Sequence, residues 1–289
     1  MIKLKCIFAL ISVLVLVFLF VACNDGGKDQ NGGAQGGAQN GAVDSTLRIT
    51  TSVQDGFTAT TVGGETVYTF TKGGEYTLSG TLYGRLEFSA DLLESATIYL
   101  NGCTISSSVG AIYWQSESGK VEIKAVAGTK NSIVSALSGA LDTYNAIESN
   151  NNVEIGGSGG LDIVAHSKHA VKASNVEIKG SVTLSIKAVK DGLHAKQVTV
   201  VGGNTTITGC VDAIQADLNA KGLKGTFLMT GGVLQIIGCG TAIQAEASAT
   251  VTAGTLKVTG CDKFLKATTF DIAANTTTVN GASLPATKS

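Results

Sequence analysis

One short phrase of the form small, apolar, polar, small recurs along this chain and restricts its fold more than any other feature. It reads Ala146-Ile147-Glu148-Ser149, Ala170-Val171-Lys172-Ala173, Gly192-Leu193-His194-Ala195, Ala213-Ile214-Gln215-Ala216 and Ala242-Ile243-Gln244-Ala245. Looser copies bracket these, Ala111-Ile112-Tyr113-Trp114 before and Phe264-Leu265-Lys266-Ala267 after. The central apolar residue falls at 112, 147, 171, 193, 214, 243 and 265, which defines a unit of about 22 residues with two insertions. A fixed period of this size belongs to folds built by stacking one supersecondary unit on the next.

Each unit holds two further alternating segments, such as Val176-Glu177-Ile178 and Leu184-Ser185-Ile186. Period-two alternation predicts strands with one buried face. Glycines punctuate them at Gly156-Gly157, Gly180, Gly202-Gly203, Gly231-Gly232 and Gly254, as sharp corners with positive φ require. Three short strands per unit predict a right-handed three-sided parallel β-helix, an all-β solenoid of about 22 residues per rung. A β-sandwich is the competing architecture, but it has no reason to repeat one phrase in register.

Stacked rungs turn sequence columns into ladders. Ile147, Val171, Leu193, Ile214, Ile243 and Leu265 are expected to form an inward aliphatic ladder, and Ser149, Ala173, Ala195, Ala216, Ala245 and Ala267 an inward ladder of small residues. Trp114 occupies the small column at the first rung and reads as core or cap rather than as a sugar platform. Cys210, Cys239 and Cys261 each precede the aliphatic position by four residues, in the column assigned to Val189 one rung earlier. In-register side chains point the same way, which strains disulfide geometry, so these are expected to be stacked free thiols. No His or Cys pair has the sequence spacing typical of zinc ligands.

The N-terminus carries Lys3 and Lys5, then an apolar run from Cys6 to Ala22 broken only by Ser12, then Cys23. This describes an export signal over residues 1–22. Phe20-Val21-Ala22-Cys23 resembles a bacterial lipobox, which implies lipidation of Cys23 and attachment to a membrane in the cell envelope. A single spanning anchor is the alternative, since the run is near the lower length limit for a transmembrane helix. Residues 23–42 are almost wholly Gly, Gln, Asn, Ala and Asp and read as a flexible tether. The body is then 43–289, with an N-terminal cap region at 43–75 and a C-terminal cap or tail at 270–289. The whole chain has a formal charge of −1, and losing Lys3 and Lys5 makes the body more negative, so nucleic acid is not an expected partner.

Gly74-Glu75-Tyr76-Thr77-Leu78-Ser79-Gly80-Thr81-Leu82, Ala96-Thr97-Ile98-Tyr99-Leu100-Asn101-Gly102-Cys103-Thr104-Ile105, Ala111-Ile112-Tyr113, Gly128-Thr129-Lys130-Asn131-Ser132-Ile133, Asp191-Gly192-Leu193 and Gly231-Gly232-Val233-Leu234 carry a further resemblance. Through them residues 65–262 resemble the bacterial carbohydrate-binding domain-containing proteins with a pectate-lyase-like parallel β-helix. The resemblance implies polysaccharide binding, acidic glycans among the ligands, with calcium in some members. Family rungs commonly read Asp-Gly-Ile, and the acid is kept here only at Asp191 and Asp212. Asn145, His169, Thr241 and Lys263 stand elsewhere in that column. Asp191 and Asp212 are therefore the candidate calcium ligands, with carbonyls and water needed to complete the six to eight oxygens of such a site.

The outward residue of the phrase reads Tyr113, Glu148, Lys172, His194, Gln215, Gln244 and Lys266, a column of long hydrogen-bonding side chains. Segment 166–196 also holds His166, His169, His194 and six lysines against Glu177 and Asp191. The expected glycan contacts are His169, Lys172, Lys190, His194, Gln215 and Gln244, with the basic band holding the carboxylates of an acidic glycan. Catalysis is not expected, because Arg48 and Arg85 are the only arginines and both precede these rungs. Asp191 and Asp212 could form a carboxylate pair, and Lys190 or Lys196 could serve as a base. Carbohydrate binding, a calcium-dependent polysaccharide lyase and an adhesive surface protein with a protein partner are the three readings that remain.

Overall fold

The computed structural model describes residues 45–289 except 136, 138, 140, 141 and 286. The export signal, Cys23 and the tether lie outside the described residues. Period-two alternation in the repeats becomes strand that buries every second side chain, as in Lys120–Ala125 and Thr183–Ala188 and through most of Asn152–Gly157. No helix occurs among the described residues, and their 26 strands join in one sheet.

Three sets of strands pair parallel and in register from one repeat to the next. The first contains the recurring phrase and runs through Ile112–Trp114, Ile147–Ser149, Val171–Lys172, Leu193–Ala195 and Asp212–Ala216. It continues into Thr241–Val251 and Lys263–Ile272. A second runs through Lys120–Ala125, Asn152–Gly157, Asn175–Ile178, Gln197–Val200 and Thr226–Met229. The third stacks Lys130–Ser135, Gly160–Ala165, Thr183–Ala188, Asn204–Thr208, Val233–Ile237 and Thr255–Thr259.

The aliphatic ladder is realised residue on residue, with Ile112 over Ile147, then Val171, Leu193, Ile214, Ile243 and Leu265. Leu86 extends it by one rung that the phrase does not reveal. The small column also holds, with Ala195 on Ala216, Ala245 and Ala267. At its N-terminal end Trp114 pairs with Ser149 and Phe88 and is fully buried. Phe70, Phe88 and Trp114 stack with centroids 4.7 and 5.0 Å apart, so large rings fill the interior where alanines fill it later.

Gly157 shows why the corners are glycine. Its φ is +91°, and a Cβ there would lie 2.2 Å from the carbonyl oxygen of Ala125 on the preceding rung. Gly180, Gly232 and Gly254 repeat the same positive φ and close approach to the rung before.

The cysteine column needs one correction. Cys103, Cys210, Cys239 and Cys261 are all free thiols, but Val189 is 49 % exposed and does not precede Cys210 in the inward column. Ala188 takes that place, buried at the end of its strand. The register keeps one offset on both sides of this corner, with Lys187 on Thr208 and Leu193 on Ile214, so the difference is local: Gly209, with φ +64°, turns the chain so that Cys210 is buried where Val189 is not.

Antiparallel segments lie at both ends of the stack. Phe57–Val62 pairs antiparallel with Glu65–Phe70, and Arg48–Thr50 with Gly74–Phe88. At the other end Ala282–Ser283 and Thr287–Lys288 pair antiparallel with Thr277–Val279 and Lys263–Ile272.

Candidate functional site

Two columns of the phrase set converge on one region. The outward column is continuous, with Glu87 beside Tyr113, then Glu148, Lys172, His194, Gln215, Gln244 and Lys266. Successive parallel rungs are about 4.8 Å apart, so these side chains form a periodic polar ridge, in which Gln215, expected as a glycan contact, is buried and the others are at least partly exposed. Its neighbours brace it, since Asn145 Nδ2 donates to Glu148 Oε2 at 2.9 Å and Lys266 Nζ to Gln244 Oε1 at 3.1 Å. The Gln215 amide donates to Asp217.

The second column enters each phrase strand from its corner. Backbone bonds tie it rung to rung: Ala146 N donates to His169 O, Ala170 N to Asp191 O and Gly192 N to Asp212 O, each at 3.0 Å. Asp212 pairs in turn with Thr241, and Thr241 with Lys263. His169, Asp191 and Asp212 are thus aligned on successive rungs, as the repeat requires.

The side chains divide this column. Asp191 is buried, and its Oδ2 lies 3.0 Å from Nδ1 of His169 and 2.8 Å from Nδ1 of His194. The two imidazoles face each other with centroids 4.3 Å apart. His194 reaches a second carboxylate through Nε2, 3.0 Å from Asp217 Oδ2. Asp212 stands apart from this group and bonds to Thr241. The two candidate calcium ligands are stacked neighbours, but the groups gathered around Asp191 are nitrogens rather than further oxygens.

Burial would raise the carboxyl pKa of Asp191, yet the close approach of the His169 and His194 imidazoles outweighs it and holds the group well below the usual carboxylate range. Burial pulls His169 below its ordinary value, partly offset by Asp191. Asp212 is pushed upward by burial, against the bonds from Thr241 and with the charge of Asp191.

The basic band is less free than its composition suggests. Lys172 lies 3.8 Å from Glu148, while Lys168 and Lys190 lie 3.7 and 3.4 Å from Asp142. Lys179 bridges Glu122 at 2.7 Å and Glu154 at 2.5 Å. These acids come from rungs outside segment 166–196, so counting charge along the chain could not find them. The pairs of Lys172 and Lys190 are exposed and weak, and a ligand carboxylate can exchange into them. The Lys179 pairs are better shielded and serve the stack.

Two open clefts flank the ridge. Arg85, Glu87, Tyr113, Tyr144, Asn145 and Glu148 line one of about 490 Å³, and Leu218, Gln244, Glu246 and Lys266 help line another of about 450 Å³. Sequence reasoning missed Tyr144, Arg85 and Asp217. Tyr144 lies in an insertion outside the repeat, whereas Asp217 follows the recurring phrase by one residue and could have been read as a further rung position.

A profile of carbohydrate-binding domain-containing proteins matches residues 64–286. Among solved structures, a polysaccharide lyase-like protein from C. thermocellum, determined as a gadolinium derivative, is similar at 27 % identity with a TM-score of 0.67. The match covers 78 % of this chain and 93 % of that one. No curated protein matches the chain in sequence.

Proposed function

Because the chain belongs to the family of carbohydrate-binding domain-containing proteins, we propose that it is a non-catalytic receptor for a periodic polysaccharide. The glycan lies along the ridge from Tyr113 to Lys266. The observation that carries this reading is the unbroken in-register column of hydrogen-bonding side chains with an open cleft at either end. A polymer with a regular repeat can meet such a surface with the same contact many times over, so weak contacts add.

In this reading the three strand sets are the sides of a three-sided parallel β-helix, right-handed as parallel crossovers are in nearly all proteins. Cys23 carries a lipid that holds the body at a membrane of the cell envelope. The ligand is an acidic, uronate-type glycan whose carboxylates displace Glu148 from Lys172 and Asp142 from Lys190. Asp191, held ionised by its histidine neighbours, is unsuited to the general-acid role of a glycosidase. Calcium, if it assists, bridges glycan oxygens to the carboxylate of Asp212.

Affinity electrophoresis in gels containing polygalacturonate or neutral β-glucan tests the proposal. The double variant Lys172→Glu plus Lys190→Glu loses retardation on the polyuronate and keeps that on the neutral glucan. Equal loss on both rejects the acidic preference, and absence of retardation by any glycan rejects the function. One observation favours a polysaccharide lyase instead: Arg85 lines the tyrosine cleft, although Glu87 holds its Nε at 2.6 Å. Unsaturated uronide absorbance on incubation with pectate would establish that alternative.

A further inference from the structure

We propose that His169, Asp191 and His194 form a binding site for a divalent transition-metal ion of the zinc class. This inference stands on the side-chain cluster alone and does not require the glycan reading. The ligand atoms of the three residues all lie within 4.8 Å of one another. Two come from one rung, Asp191 and His194, and the third from the rung before it, so the backbone ladder sets their spacing.

With neutral imidazoles the hydrogen bonds do not close. A neutral imidazole has one N–H and one lone pair, yet both nitrogens of His194 face carboxylate oxygens, Asp191 on one side and Asp217 on the other. One of those contacts sets lone pair against lone pair unless the ring is an imidazolium, and that form of His194 still leaves His169 unmatched. The Nδ1 of His169 is buried and makes no hydrogen bond, although Asp191 Oδ2 is only 3.0 Å away. The contact is short, but it is not directed as an N–H···O bond must be. Three donor atoms therefore converge on one space, with a buried ring nitrogen of His169 that has no hydrogen-bond partner.

A metal ion reconciles them. Ligands about 2.0–2.2 Å from zinc place tetrahedral donor atoms roughly 3.3 Å apart, close to the 2.8 and 3.0 Å contacts at Asp191. Two imidazoles and one carboxylate suit zinc and its neighbours in the transition series better than calcium or magnesium, which take oxygen sets. Asp217 then does for His194 what an outer carboxylate does for metal-bound histidines: it accepts the Nε2–H and fixes Nδ1 as the ligand. Gln215 holds Asp217 in turn. The His194 side chain is 22 % exposed and marks the open side, where water would complete the shell.

The full-length chain, purified in detergent and stripped with a chelator, is titrated with Co²⁺ and followed by visible absorption, then challenged with Zn²⁺ or Ca²⁺. A single saturable equivalent is expected, with a d–d band, no thiolate charge-transfer band, displacement by zinc and none by excess calcium. Asp217→Asn should weaken binding by about 10- to 100-fold, and His194→Ala should abolish it while the circular dichroism spectrum is retained. No saturable binding, a thiolate band that disappears in Cys239→Ser, or unchanged affinity in His194→Ala would each overturn the assignment.

Discussion

Replacing Lys179 by Met removes the ammonium that joins two stacked glutamates, and the geometry sets the size of the effect. Glu122, Glu154 and Glu177 are in register on successive rungs, hence about 5 Å apart. Lys179 reaches Glu122 at 2.7 Å and Glu154 at 2.5 Å. Lys120 stays on Glu154 at 2.5 Å and Lys124 on Glu122 at 3.1 Å, so neither carboxylate is left bare. Two unit charges 5 Å apart interact by about 3 kcal/mol at an effective dielectric constant of 20 and by about 0.8 kcal/mol in water. Lys179 is partly exposed, so solvent screening keeps the net effect to about 1–3 kcal/mol.

The pH dependence separates this cause from lost packing. Burial raises the pKa values of Glu122 and Glu154, but the bonds from Lys179 with those from Lys124 and Lys120 outweigh it, so both are lowered. Groups depressed in the folded state contribute stability above the unfolded value of 4.5 and lose it as pH falls through the folded value. In Lys179→Met that contribution shrinks, so the deficit should be full at pH 7 and should fade below about pH 4.5. Urea unfolding of both proteins across pH 3.5–7 measures it. A deficit that is equal at both ends of the range, or absent at pH 7, would refute the electrostatic account.

Two further outcomes follow from the interior. Trp114→Ala should cost about 3–5 kcal/mol, because the ring is fully buried and stacked on Phe88; circular dichroism must read the melt, since Trp114 is the only tryptophan. Thiol labelling of the native protein should modify Cys261, the one body cysteine that is not buried, well before Cys103, whose pKa burial pushes up to about 12. Equal labelling rates for these two cysteines would contradict the inward placement of Cys103.

The ladders were legible because stacking is a translation: once Ile147, Val171 and Leu193 are recognised as the same position, their contact follows from the period alone. The same rule aligned His169 with Asp191. It failed at Val189, where the count is the same on both rungs but the positive φ of Gly209 turns Cys210 inward while Val189 stays exposed. It also could not show which charges meet. Asp142 pairs with Lys168 and Lys190 across an irregular insertion, and Lys179 reaches acids on two rungs at once. The meeting of His169 and His194 escaped because they occupy different columns, and only the corner between those columns turns both rings toward Asp191.

The antiparallel segments at the two ends bear on assembly. A parallel stack offers open backbone donors and acceptors on its last strand, to which a second molecule could add in the same register without limit. Arg48–Thr50 and Thr287–Lys288 run against that direction and occupy part of those rows. An incoming copy therefore meets a strand of the wrong polarity, and growth into filaments is discouraged. Each molecule then keeps a set number of rows, so the span of sugar units it can cover is decided within one chain rather than by how many copies happen to join.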